Sequence, residues 1–165
     1  MRTETFKIYK IKNALADFEC DRLLKFYNEE HKEFIDDFFG FDVEYIIKKM
    51  EDITNDVTNI DIINQEPIYI TKSSKIGIEE PTRADAWEDN TPQTEQYGNR
   101  LFTTLVFLTP GEITFPNINL KHQCNAGDGL VWNNVTTQGR TLESINQISN
   151  DTHYIKKWTR EKPFI

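Results

Sequence analysis

The stretch that decides the fold is NRLFTTLVFLTPGEITFPNINLKHQCNAGDGLVWNN, residues 99–134. It holds three apolar runs, RLFTTLVFL (100–108), GEITFP (111–116) and GDGLVWNN (127–134), divided by Pro, Gly and Asn. Short runs rich in β-branched and aromatic residues and bounded by turn formers read as strands. The same pattern precedes it in IDIINQEPIYITKSS (60–74) and follows it in TLESINQIS (141–149) and HYIKKWT (153–159). A series of strands at such spacing is the signature of a barrel or a double-sheet jelly roll.

Working towards the N-terminus, the period changes. FKIYKIKN (6–13) alternates like a strand, but ADFECDRLLKFYNEEHK (16–32) sets Phe18, Leu23, Leu24 and Tyr27 at helical spacing, with Asp17 as a candidate cap. FDVEYIIKKMEDITND (41–56) carries Val43, Ile46, Ile47 and Met50 on one face of a second helix. Helices followed by strands, without βαβ alternation, give an α+β class. One domain over 1–165 is expected, with a helical lead-in over about 14–56 and a β-rich core over about 60–160. No repeat is visible, and 88–98 is the one long loop.

Bulk composition excludes several classes. With 38% hydrophobic and 12% aromatic residues the chain of 165 residues is globular in character. No apolar run approaches the roughly 20 residues of a membrane helix, and the N-terminus lacks the apolar core of a signal peptide, so no membrane is expected and the location is cytoplasmic. A net charge of -8 repels phosphate backbones, so no nucleic acid is expected as a partner despite the basic KKWTREK at 156–162. Cys20 and Cys124 have neither CxxC spacing nor the number for a disulfide framework. His31, His122 and His153 show no paired ligand spacing, and Asp85, Glu88 and Asp89 lack the glycine turn of a calcium loop.

The 99–134 block resembles the prolyl 4-hydroxylase-like branch of the iron(II) and 2-oxoglutarate dioxygenases. That family's RxxTxLxYL strand is answered by Arg100, Thr103, Leu105 and Leu108, its GGxTxFP by Gly111, Glu112, Phe115 and Pro116, and its GxALxW by Gly127, Asp128, Leu130 and Trp132. YKIKNALADFECDRLLKFYNEE is similar to the family's lead-in, and Trp158 matches its closing strand. The likeness covers nearly the whole chain and is to the short members carried by viruses and phages. It implies a double-stranded β-helix, a cupin-like jelly roll, with supporting N-terminal helices.

The resemblance also implies a site. The family holds iron(II) with HxD on an early strand and a later histidine, leaving three positions for 2-oxoglutarate and oxygen; a Lys or Arg further on pairs the 2-oxoglutarate carboxylate. With Gly77 matched to a family glycine ahead of HxD, Arg83-Ala84-Asp85 falls on HxD, Glu143 on the second histidine and His153 on the lysine. A guanidinium has no lone pair for a metal, and it brings a fixed cation to the place of the ion. The expectation is therefore a degenerate metal site at Asp85 and Glu143 in which Arg83, bonded to both, replaces iron, with His153 a weak candidate for binding an anion.

Three functional readings follow. The first is a non-catalytic dioxygenase fold without a cofactor, a binding or assembly module for a protein partner, such as a virion component, with loop 86–98 as the contact surface. The second is an active iron(II)/2-oxoglutarate oxygenase that hydroxylates a peptide or protein side chain. A carbohydrate or small-acid binder in the same cavity is a third.

Overall fold

The computed structural model describes residues 2–38, 43–74 and 80–165; Gly77, which set the HxD register, lies outside the described residues. Strand β1 (Ile8–Ile11) leads into α1 (Asp17–Glu30) and α2 (Val43–Thr58). Asp17 is not the cap of α1. It sits inside the first turn, where a carboxylate favours the helix dipole, while Glu19 turns back to accept the Ala16 N–H at 2.8 Å. The buried stripe of α1 runs through Cys20 and Leu23, with Leu24 and Tyr27 packed against the core, and leaves Phe18 65% exposed. Position 18 falls off the i, i+3, i+4, i+7 series that starts at 20.

The remaining strands are β2 (Tyr69–Lys72), β3 (Arg100–Phe107), β4 (Gly111–Phe115), β5 (Leu120–Cys124), β6 (Gly129–Asn133), β7 (Val135–Thr136), β8 (Gly139–Arg140), β9 (Gln147–Ile148) and β10 (His153–Arg160). They form an antiparallel five-stranded sheet in the order β1-β6-β3-β10-β2 and a three-stranded sheet in the order β5-β4-β9, with β7 and β8 paired apart. The result is a jelly-roll-like pair of sheets backed by two helices. Side chains alternate across the large sheet, as the strand period of two requires. Val106 and Ile155 face the helices, in a core with Leu23, Ile46 and Met50; Leu105, Phe107 and Tyr154 face the small sheet, in a core with Ile113, Phe115 and Trp132. Each of these large apolar side chains contributes about 1.5–3 kcal/mol by its burial.

Two segments read as strands behave otherwise. In 60–74 a 3-10 turn (Ile62–Asn64) comes first and the strand is confined to β2. In 141–149 a second 3-10 turn (Leu142–Ser144) leaves only the two residues of β9 in the sheet. The Thr141 hydroxyl accepts the Glu143 N–H at 3.3 Å and Ser144 donates back to the Thr141 carbonyl at 2.8 Å, local bonds that compete with the ladder. Gly127, ahead of β6, has φ +90°, and a Cβ there would lie 2.3 Å from the Leu15 carbonyl oxygen, so the entry to α1 docks where only glycine leaves room. Both cysteines are free. Among the described residues, no helix is long and apolar enough to cross a membrane.

Candidate functional site

Between the sheets opens a cavity of about 400 Å³ whose wall includes Tyr69, Arg83, Asp85, Tyr154, Lys156 and Trp158. The strand period puts Tyr154, Lys156 and Trp158 of β10 on this inner side. Asp85 is 5% exposed and firmly held. The Thr103 hydroxyl donates to its Oδ2 at 2.8 Å, Asn134 Nδ2 donates to that hydroxyl oxygen at 2.7 Å, and Trp132 Nε1 donates to Asn134 Oδ1 at 2.9 Å. Thr103 of β3 and Trp132 of β6, joined through Asn134 just past β6, thus form a relay that ends on one carboxylate. The second oxygen, Oδ1, faces the Lys156 ammonium at 3.4 Å. That ammonium also lies 5.7 Å from the Tyr154 ring and 5.8 Å from the Trp158 ring. Burial pushes the Tyr154 phenol upward, so it stays neutral and can donate.

The expected Arg83–Asp85–Glu143 cluster does not form. The Arg83 side chain is 54% exposed and pairs with Glu80 Oε1 at 3.3 Å. Burial would raise the Glu80 carboxyl, but bonds from Ser74 and Arg83 outweigh it and hold the group below its ordinary value. Glu143 stands on the 3-10 turn, accepts from the Thr141 hydroxyl, and lines a separate open groove beside Phe6 and Arg140. The cause is the local turn at 141–144, which takes Glu143 out of the sheet.

The residue opposite Arg83 is Asn146. The two backbones exchange hydrogen bonds of 2.7 and 3.0 Å in an antiparallel bridge. Directly opposed residues share a face, so Arg83 and Asn146 do, while Asp85 follows in a bend and lines the same cavity as Arg83. Asn146 is 1% exposed and its Oδ1 has no partner. His153, the expected anion-binding residue, points to the other side of β10. Its ring packs edge-on to Tyr27 of α1 at 5.6 Å, and burial, helped by the charge of Lys72, lowers its pKa so that it is the less able to hold an anion. The cation that does reach the cavity from this strand is Lys156, three residues on and of opposite parity.

Loop 86–98 is tied down from within. Asn99 accepts the Trp87 N–H at 3.1 Å and donates to the Trp87 carbonyl at 2.6 Å. The Arg100 guanidinium lies between the rings of Trp87 (4.5 Å) and Trp158 (3.7 Å) and bonds Glu66 through Nε at 2.8 Å and Nη2 at 3.1 Å. Trp87 and Tyr97 are half-buried, and the loop exposes Glu88, Asp89, Asn90 and Glu95. Glu88 pairs with Arg140 and Asp89 with Arg2, so these carboxylates diverge from Asp85. Among the described residues, no three His, Cys, Asp or Glu side chains are grouped to hold a metal ion.

The missed residues had a readable signal in part. Lys156 shares the parity of Tyr154 and Trp158, but Asn146 and the relay through Thr103 and Asn134 depend on strand pairing that spacing does not reveal.

No family model matches the chain, and no curated protein matches it. Solved structures do. A viral collagen prolyl hydroxylase from Paramecium bursaria Chlorella virus 1 superposes with a TM-score of 0.72 at 21% identity, over 93% of this chain and 89% of that one. The same viral hydroxylase in complex with 2OG gives 0.70 at 21% identity, over 93% and 95%. A prolyl-4-hydroxylase of Pseudomonas putida gives 0.65 at 11% identity, over 98% and 88%. This chain therefore has a prolyl 4-hydroxylase-like fold.

Proposed function

We propose that this chain is a metal-independent version of that fold, a closed double-stranded β-helix that serves as a binding or assembly module for a protein partner. The observation that carries the reading is the Lys156 ammonium beside Asp85 in the cavity. Iron(II) in this family's manner requires two imidazoles and a carboxylate. Of Arg83, Asp85 and Asn146, Asp85 is the one fit to be a ligand, and its oxygens already take a hydroxyl and an ammonium. Arg83 has no lone pair to give and an Asn146 amide is a poor substitute for imidazole. The residues do not fit the metal, and an ammonium balances the carboxylate that metal loss would strand.

The closed β-helix is supported by the order of strands. The Arg83–Asn146 bridge extends the small sheet beyond β9, giving it four lines of chain against the large sheet. The partner surface in this reading is the outer face of loop 86–98. It is polar and acidic, since the aromatic residues of the loop turn inward, and it suits a basic segment of a cytoplasmic or virion protein.

Metal analysis of purified protein, with a succinate-release assay containing iron(II), ascorbate and 2-oxoglutarate, tests the proposal. Sub-stoichiometric metal and no succinate above a blank are expected. Stoichiometric iron with 2-oxoglutarate turnover would overturn it and establish an active oxygenase.

A further inference from the structure

On the other face of β10 lies a second, smaller cavity of about 220 Å³, walled by Ile47, Glu51, Gln65, Ile68, Lys157 and Phe164. Lys157 is 3% exposed and lines this cavity, where the carboxylates whose charges act on it are Glu51 and Asp36. Gln65 is 8% exposed, and both its side-chain oxygen and nitrogen are buried without partners. A lysine and a carboxamide whose two polar atoms are buried and unbonded thus face one space, and buried polar groups left as those of Gln65 are point to an absent ligand. The volume is below the roughly 300–1,000 Å³ of drug-sized sites, so only a small molecule enters.

We propose that this cavity is a ligand site in which the Lys157 amine condenses reversibly with the aldehyde of a small, uncharged, largely apolar compound. The amine nitrogen attacks the carbonyl carbon; the carbon–oxygen double bond opens to a carbinolamine. Its hydroxyl then leaves as water with a proton from nitrogen, and a carbon–nitrogen double bond forms without any oxidant. Ile47, Ile62, Ile68 and Phe164 receive the apolar tail, and Gln65 can bond the carbinolamine oxygen. The charged groups facing the amine are Asp36 from the 3-10 turn Ile35–Asp37, Glu51 from α2 and Glu66 from the segment before β2. Glu66 is committed to Arg100 and Arg160, while Asp36 and Glu51 favour an iminium over a neutral imine and reject anionic aldehydes. Desolvation outweighs those carboxylates and pushes the amine down to about 8, leaving a useful fraction unprotonated near neutral pH.

The test is reductive trapping of the intact protein with propanal and cyanoborohydride at pH 7, read by peptide mass mapping. Lys157 is expected to label about tenfold faster than the exposed Lys48, with a rate that rises to a midpoint near the value above. Gln65→Leu should slow labelling, and folded Lys157→Met should lose the fast phase. Labelling of Lys157 no faster than Lys48, in protein with an unchanged circular dichroism spectrum, would overturn the proposal.

Discussion

The Lys156 ammonium lies 3.4 Å from Asp85 Oδ1, with the two side chains only 3% and 4% exposed. A single change that removes either charge leaves the other buried without its counter-charge. Lys156→Met alone is expected to cost about 3 kcal/mol, as breaking a buried pair generally does. Because Asp85→Asn keeps the bond from Thr103, the double variant should recover most of that loss. Urea denaturation of the four proteins measures the coupling, and simple additivity would show that the pair is not one unit.

Arg83 stands opposite Asn146 and lines the cavity together with Asp85, whereas Glu143 occupies another groove. Histidines placed at 83 and 146 in a Lys156→Met background should therefore create a site for a divalent ion with Asp85. Cobalt(II) absorption is the readout. Arg83→His with Glu143→His in the same background should bind no cobalt, and equal binding by both sets would reject the Asn146 register.

Arg100 joins Glu66 to two indole rings and so holds loop 86–98 to the sheet. Lysine preserves the charge but neither the fork nor the flat stacking surface. Arg100→Lys is expected to cost about 1–2 kcal/mol, which is roughly a 2–8 °C fall in Tm for a protein of this size. Cleavage by trypsin near the loop should accelerate with it. An unchanged Tm would mean that Asn99 and the ion pairs of Glu88 and Asp89 anchor the loop without Arg100.

Acid should loosen the N-terminus first. Bonds from Arg2 hold the Asp89 carboxyl below its ordinary 3.8. At Glu161 burial pulls upward, yet Arg2 and the Asn99 N–H win and the group is again lowered. Groups depressed in the folded state contribute stability that is complete above their unfolded values and disappears as pH falls through the folded ones. The wild type should therefore lose stability below about pH 4, and Arg2→Met should show a shallower decline there. Denaturation midpoints from pH 3 to 7 decide this, and parallel curves would remove Arg2 from the account.

Much of the architecture was legible from local pattern. Val43, Ile46 and Met50 spelled out α2 by their spacing, and RLFTTLVFL and HYIKKWT became the paired central strands β3 and β10. These elements are governed by periods of 3.6 and 2, which neighbours in sequence carry by themselves. The motif residues Thr103 and Trp132 likewise stand in the chain and carry the relay to Asp85, while Gly127 marks where the entry to α1 docks.

What the chain alone determined is thus the inventory: which segments are helix or strand, and that Asp85 stands without flanking histidines. Tertiary structure decided the partners. A turn bonded within 141–144 sent Glu143 away and left Asn146 opposite Arg83, and strand parity exchanged His153 for Lys156. The pairings of Asp85 with Lys156 and of Arg83 with Asn146 join residues more than sixty positions apart, and the register of short strands sets them.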